Sequence, residues 1–192
     1  MYYLFNNYST LTVLKDIVRG VDGKLLNFTN FNFNFNLDIF PESVTKRSVT
    51  KVAIGLAITS RKPFNDRTKD MVFFTRLLPT FCHTRSPGYE YHFYLAHDHV
   101  DAFFIKKNSH EVFKEKFEKH VLRRCKSLNN IYLHLVECEY TRKPAVSQND
   151  AMVAAYLDNM DYYYRVNDDT QMKDPGWTEK FIKTLQSYKP PN

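Results

Sequence analysis

From Lys51 onward, four short runs of aliphatic, β-branched and aromatic residues recur, and amphipathic stretches separate them. The first, Val52-Ala53-Ile54-Gly55-Leu56-Ala57-Ile58, is apolar without a break. A half-exposed strand would alternate, so an unbroken run of this length predicts a strand buried on both faces. Tyr91-His92-Phe93-Tyr94-Leu95-Ala96 is a second run, ending at His97-Asp98-His99. Ile131-Tyr132-Leu133-His134-Leu135-Val136 is a third, and Tyr162-Tyr163-Tyr164-Arg165-Val166 a fourth. Helical spacing fills the gaps. Residues 66–85 place Met71, Phe74, Leu78 and Phe81 on one face, with Pro79 expected to kink or shorten the helix. Residues 109–126 place Phe113, Phe117, Val121 and Cys125 at four-residue intervals. Ser147-Gln148-Asn149-Asp150 reads as a capping box opening a helix over 151–157, and a last helix follows Gly176. Strand and helix alternate throughout, which predicts an α/β fold. Its sheet is mostly parallel and Rossmann-like, with helices on both faces.

At 192 residues and 43% hydrophobic content, the chain can bury a core as one domain. Residues 1–48 differ from the rest and are expected to form an irregular Asn/Phe-rich extension before a domain spanning 49–192. Within the extension, residues 27–36 alternate Asn and Phe, the pattern of an edge strand or hairpin arm. No apolar run is long enough for a spanning helix, and the first residues lack the basic region and apolar core of a signal peptide. Asn7-Tyr8-Ser9 and Asn27-Phe28-Thr29 fit the glycosylation acceptor pattern, which matters only in a secretory compartment. Cys82, Cys125 and Cys138 show neither paired nor metal-ligand spacing and are read as small buried residues. The formal charge of +6 suits a polyanion or a nucleotide diphosphate equally well. The basic residues of 109–126 alternate with Glu111, Glu115 and Glu118, which marks a solvated helix surface.

Parallel strands bring their carboxyl ends to one rim, and open α/β sheets bind ligands there. Four segments should therefore converge: Thr59-Ser60-Arg61, His97-Asp98, Cys138-Glu139-Tyr140 and Asn167-Asp168-Asp169. Arg61 suits bidentate pairing with phosphate. Asp98 suits a base or ribose as an acceptor. Asp168 and Asp169 are hard oxygen donors suited to Mg²⁺ or Mn²⁺ and, through the metal, to a diphosphate. Asn-Asp-Asp-Thr is equally good turn chemistry. The chain has no GxGxxG and no GxxxxGK[ST], which argues against a dinucleotide enzyme and a P-loop NTPase. No histidine is taken as a ligand, and Ser60 has no evident base.

The stretch 162–170, followed by Pro175-Gly176-Trp177 and a helix, resembles the metal-binding segment of GT-A-fold glycosyltransferases, which carry a DxD-type motif at the end of a central strand. The likeness extends over about residues 51–192. Residues 53–61 resemble the first strand and nucleotide loop, and residues 91–98 the second strand with its terminal acid. Residues 147–157 resemble the helix before the motif. The resemblance implies a nucleotide-sugar donor, often a UDP-sugar, and Mn²⁺ or Mg²⁺ as cofactor. It implies donor contacts from Thr59, Ser60, Arg61, Asp98, Asn149, Asn167 and Asp168, with Asp168 and Asp169 on the metal. Asn167 stands where the motif's first acid is usual. The acceptor, a glycan, protein or lipid, is left open. The family continues into an acceptor-binding half beyond the point matching Asn192, so an incomplete or inactive form is expected. A module that binds the nucleotide without transferring is the alternative. Family members work in the secretory pathway or the cytoplasm, and the sequence does not choose. A basic nucleic-acid binder is the reading from another class. It is disfavoured because the aromatics fall in core patterns.

Overall fold

Four parallel strands form the sheet that the apolar runs predict, in a computed structural model that describes residues 2–4, 49–60 and 71–188. They are β2 (Thr50–Ala57), β3 (Tyr89–Asp98), β4 (Ile131–Cys138) and β5 (Tyr162–Arg165). A short strand β1 (Tyr2–Leu4) pairs antiparallel with β5, Tyr3 opposite Tyr163. The sheet order is β1-β5-β2-β3-β4. Residues 2–4 thus depart from the irregular extension expected over 1–48, since a Tyr-Tyr-Leu stretch has the β preference to add to an aromatic strand. The Asn/Phe alternation at 27–36 and the two glycosylation patterns lie outside the described residues. The described residues all belong to one compact unit, which joins the first residues to the chain from Val49 onward.

The helices are α1 (Leu78–Thr84), α2 (Ser109–Cys125), α3 (Pro144–Leu157) and α4 (Trp177–Ser187). A π-helical turn, Phe73–Leu77, leads directly into α1. Pro79 lies in the first turn of α1. Proline has no N–H to donate and its ring crowds the carbonyl four residues back, so a widened turn just before it is the physical outcome. The π turn buries Phe73, Phe74 and Leu77 together. The predicted face of Met71, Phe74, Leu78 and Phe81 is buried throughout. Residues 66–70 of the predicted helix lie outside the described residues.

Along β2, Val52, Ile54 and Leu56 enter one core with Tyr91, Phe93 and Leu95 of β3. The π turn, α1, α2 and α4 cover this face. Phe93 is the hub: Phe73, Phe81 and Phe117 all meet it edge-on, with centroids 4.9–5.7 Å away. On α4, Trp177 stacks against Tyr164 at 5.3 Å and Phe181 lies 4.8 Å from the same ring. The opposite face belongs to α3, which packs on β2 and β3 and buries Ala151, Met152 and Ala155. There β2 offers only Ala53, Gly55 and Ala57. A side chain at Gly55 would collide with the Tyr163 ring, so glycine is what lets Tyr163 lie across the sheet and donate its hydroxyl to the Gln148 carbonyl at 3.1 Å.

Cys82 of α1 and Cys125 at the end of α2 are joined in a disulfide, their Cα atoms 4.6 Å apart across 43 residues of sequence. This corrects the reading of all three cysteines as unpaired. No local spacing announces the pairing; helix packing brings the two together. Cys138 remains a free, buried thiol, pushed up to about 12 by burial and by the Asp150 carboxylate beside it. Closing a loop of this length restricts the unfolded chain by about 4 kcal/mol. Reduction, or the paired change Cys82→Ala with Cys125→Ala, should therefore lower Tm by several degrees in a thermal melt, while Cys138→Ala should leave the sensitivity to reductant intact.

Candidate functional site

β2 is the reversal point of the sheet. From it the chain moves outward to β3 and β4, then returns to place β5 on the other side. Gly55 pairs with Arg165, and Val166 donates its N–H to the Gly55 carbonyl at 3.0 Å, so the two strands reach the rim level with each other. Beyond their ends lies a cleft of about 370 Å³, a volume suited to a small ligand. Thr59, Asp98, Asn167, Asp168 and Asp169 all line it. Of the four segments expected to converge, the adjacent acids and the tips of β2 and β3 do so, whereas Cys138, Glu139 and Tyr140 are not among the lining residues.

Asn167-Asp168-Asp169-Thr170 is a turn. Thr170 donates its N–H to the Asn167 carbonyl at 3.1 Å, and the Asn167 N–H donates to the Thr170 hydroxyl at 3.1 Å. The acids occupy the turn's two central positions, Asp168 half-buried and Asp169 exposed. Turn chemistry and ligand chemistry are therefore not alternatives here. The turn is the device that presents both carboxylates.

Gln148, buried on α3, aligns this turn. Arg165 Nε donates to its Oε1 at 2.6 Å, which orients the amide. Its Nε2 then donates to Asn167 Oδ1 at 3.2 Å and to the Val166 carbonyl at 3.4 Å. With that oxygen engaged, Asn167 offers a ligand its amide nitrogen as a donor, where an aspartate would have offered an anion.

The remaining expected residues divide. Asp98 accepts the Arg142 backbone N–H at 2.8 Å, which holds the loop after β4. Arg142 adopts a left-handed backbone conformation, φ 56°, an arrangement uncommon for a long side chain. Through it, Arg142 and Lys143 are brought to the cleft wall. Both were missed by sequence reasoning, which ended the β4 tip at Tyr140. The signal was the basic pair directly before Pro144, which opens α3 at its first position. The capping box at 147–150 is accordingly corrected. The helix begins at Pro144, seven residues before the expected start at 151, Ser147 bonds back to the Lys143 carbonyl at 3.5 Å, and Ser147 and Gln148 face the cleft from inside the first turns. Asn149, expected to touch the donor, is not among the lining residues. Its neighbours Ser147 and Gln148 take that place. Arg61 lies outside the described residues.

Ser60 is a structural residue and does not line the cleft. Its hydroxyl and its backbone N–H both donate to the buried Asp101 carboxylate, at 2.5 and 2.7 Å. Thr59 Oγ1 and the N–H groups of Phe103 and Phe104 donate to the same carboxylate. Burial alone would push this carboxyl up, but the Ser60, Phe103 and Phe104 donors together outweigh it and hold it below the ordinary range. Asp101 thus ties the loop after β2 to the loop after β3 and sets where Thr59 stands.

Among the described residues, one group of three ligand side chains lies within mutual reach of a single ion, and it is not in the cleft: His97, His110 and Glu137. Asp168 and Asp169 would hold a cation with oxygens of the ligand and water completing its shell, the usual arrangement for Mg²⁺ and Mn²⁺ with phosphates. No protein-family model and no curated protein matches this chain.

Removing the Asp101 carboxylate strands several buried donors at once. Asp101→Ala should cost about 3 kcal/mol in denaturant unfolding, and Asp101→Asn less. A pH dependence follows as well. His92, His97, His120 and His134 are all held below the ordinary 6.5, burial being the largest cause for each. The unfolded chain therefore takes up protons first as pH falls through 6.5, and stability is lost from there downward. Asp101 adds a second loss below its unfolded value of 3.8. The urea midpoint should fall between about pH 7.5 and about pH 5 with an unchanged m-value.

Proposed function

We propose that the cleft at the carboxyl ends of β2 and β5 is a metal-dependent nucleotide-sugar site, and that the protein is a glycosyltransferase or the donor-binding part of one. The observation that carries this reading is the convergence of Asp98, Asp168 and Asp169 with Arg142 and Lys143 around one cleft at the sheet's reversal point. Each charge has a use in such a site. The adjacent carboxylates would hold Mn²⁺ or Mg²⁺, whose charge would offset that of a diphosphate leaving group. Arg142, Lys143 and the amino-terminal end of α3 complement the remaining phosphate charge. Thr59 and Asn167 offer neutral polar groups to the ribose or base.

The bound metal supplies Lewis acidity toward the leaving diphosphate. The chain's own residues orient it: Gln148 aligns the Asn167 turn, and Asp98 fixes the loop that carries the cations. The Cys82–Cys125 disulfide favours an oxidising compartment. No described helix is long and apolar enough to cross a membrane.

Titration calorimetry with UDP, GDP and ADP, each with and without Mn²⁺, tests the site. At least one nucleotide should bind at least about tenfold more tightly with Mn²⁺ present, and Asp169→Ala should remove that gain. The absence of heat with every nucleotide in the presence of metal would exclude a donor site. Tight binding with no hydrolysis or transfer of any sugar nucleotide would favour the module that binds without transferring.

A further inference from the structure

A second cluster lies away from the cleft. His97 and Glu137 sit side by side on β3 and β4 as direct register partners, and His110 stands in the first turn of α2. Their ligand atoms lie within 4.8 Å of one another. The two imidazoles meet nose to nose, His97 Nε2 and His110 Nε2 3.0 Å apart. Strand alternation turns His97 toward the α2 face and its neighbour Asp98 toward the cleft.

We propose that His97, His110 and Glu137 form a binding site for a borderline divalent metal, Zn²⁺ above all, separate from the oxygen-donor site in the cleft. Two imidazoles with one carboxylate is a donor set suited to Zn²⁺ and poorly suited to Mg²⁺. Tetrahedral zinc bonds of about 2.0–2.1 Å separate neighbouring ligand atoms by about 3.3 Å. The two histidine nitrogens are therefore within a few tenths of an ångström of the required spacing.

The surroundings of His97 are those of a prepared ligand. Its Nδ1–H donates to the Asp98 carbonyl at 3.2 Å, which leaves the lone pair on Nε2, aimed at His110. A metal-bound histidine is usually held in this way, by a backbone or carboxylate acceptor on its other nitrogen. The ring is 99% buried and lies flat against Phe104, centroids 3.9 Å apart and 9° from parallel, so it cannot swing away.

Glu137 is exposed, so one coordination position faces solvent and the ion has a path in. The three ligands come from three elements. A bound ion would pin the start of α2 to the carboxyl ends of β3 and β4.

The test uses the full chain, stripped of metal and free of any histidine tag. Competition with a chromogenic chelator should show one equivalent of Zn²⁺ bound, and Zn²⁺ should raise Tm. Co²⁺ should give visible d–d bands of tetrahedral intensity. His110→Ala should weaken binding by more than about 100-fold, beyond the loss typical of outer-shell changes, and abolish the bands. Glu137→Gln, at an exposed position that folding does not need, should weaken binding without altering Tm in the metal-free state. Asp169→Ala should leave Zn²⁺ binding unchanged, which separates this site from the cleft. Absence of d–d bands and of any Tm rise in the wild type would overturn the proposal. So would Zn²⁺ affinity that survives both His110→Ala and Glu137→Gln, since the ion would then be held elsewhere.

Discussion

Two crossovers leave β2 in one direction and the third returns to its other side. A right-handed connection can do both only by placing α3 on the opposite face of the sheet from α1 and α2. Much else follows from that reversal. It gives β2, like β3, parallel neighbours on both sides, hence its unbroken apolar run. It requires β2 to be thin on the α3 side, where Ala53, Gly55 and Ala57 leave room for the Tyr163 ring. It also parts the chain at the carboxyl ends of β2 and β5, where no connection passes from one to the other and a cleft opens.

The rim is held by side chains that a search for ligand residues would have taken as ligands. Ser60 serves Asp101, and Asp98 serves the Arg142 loop. In both cases a carboxylate accepts backbone N–H groups from a loop, a strong and directional use of an anion in a half-dry place. These anchors decide the positions of Thr59, Arg142 and Lys143. Gln148 does the same for the Asn167 turn through a single oriented amide. Preorganisation of this kind fits a site that must meet a highly charged ligand without rearranging.

The two proposed metal positions differ in chemistry, and this keeps them apart. The turn at Asp168 and Asp169 presents hard oxygens to a solvent-facing cleft, whereas the β3–β4–α2 junction presents two imidazole nitrogens beside one carboxylate. Ions that prefer phosphate oxygen and water would favour the first. Ions that prefer nitrogen would favour the second.

The four parallel strands, the buried faces of α1 and α2, and the placing of Asp168 and Asp169 on a shared rim with Asp98 were legible in the chain itself. Apolar runs and four-residue spacings report local burial, and burial on both faces leaves few architectures open. What lay beyond reach was every feature that depends on which distant segments meet. Cys82 finds Cys125 only once α1 packs on α2. Ser60 is drawn from the cleft by an acid 41 residues away. Arg142 enters the cleft because Asp98 catches its backbone. His97 meets Glu137 through strand register and His110 through helix docking. Periodicity is a one-dimensional record of how wet each position is. Pairing between side chains is set by distance in three dimensions, and only the packed fold supplies that.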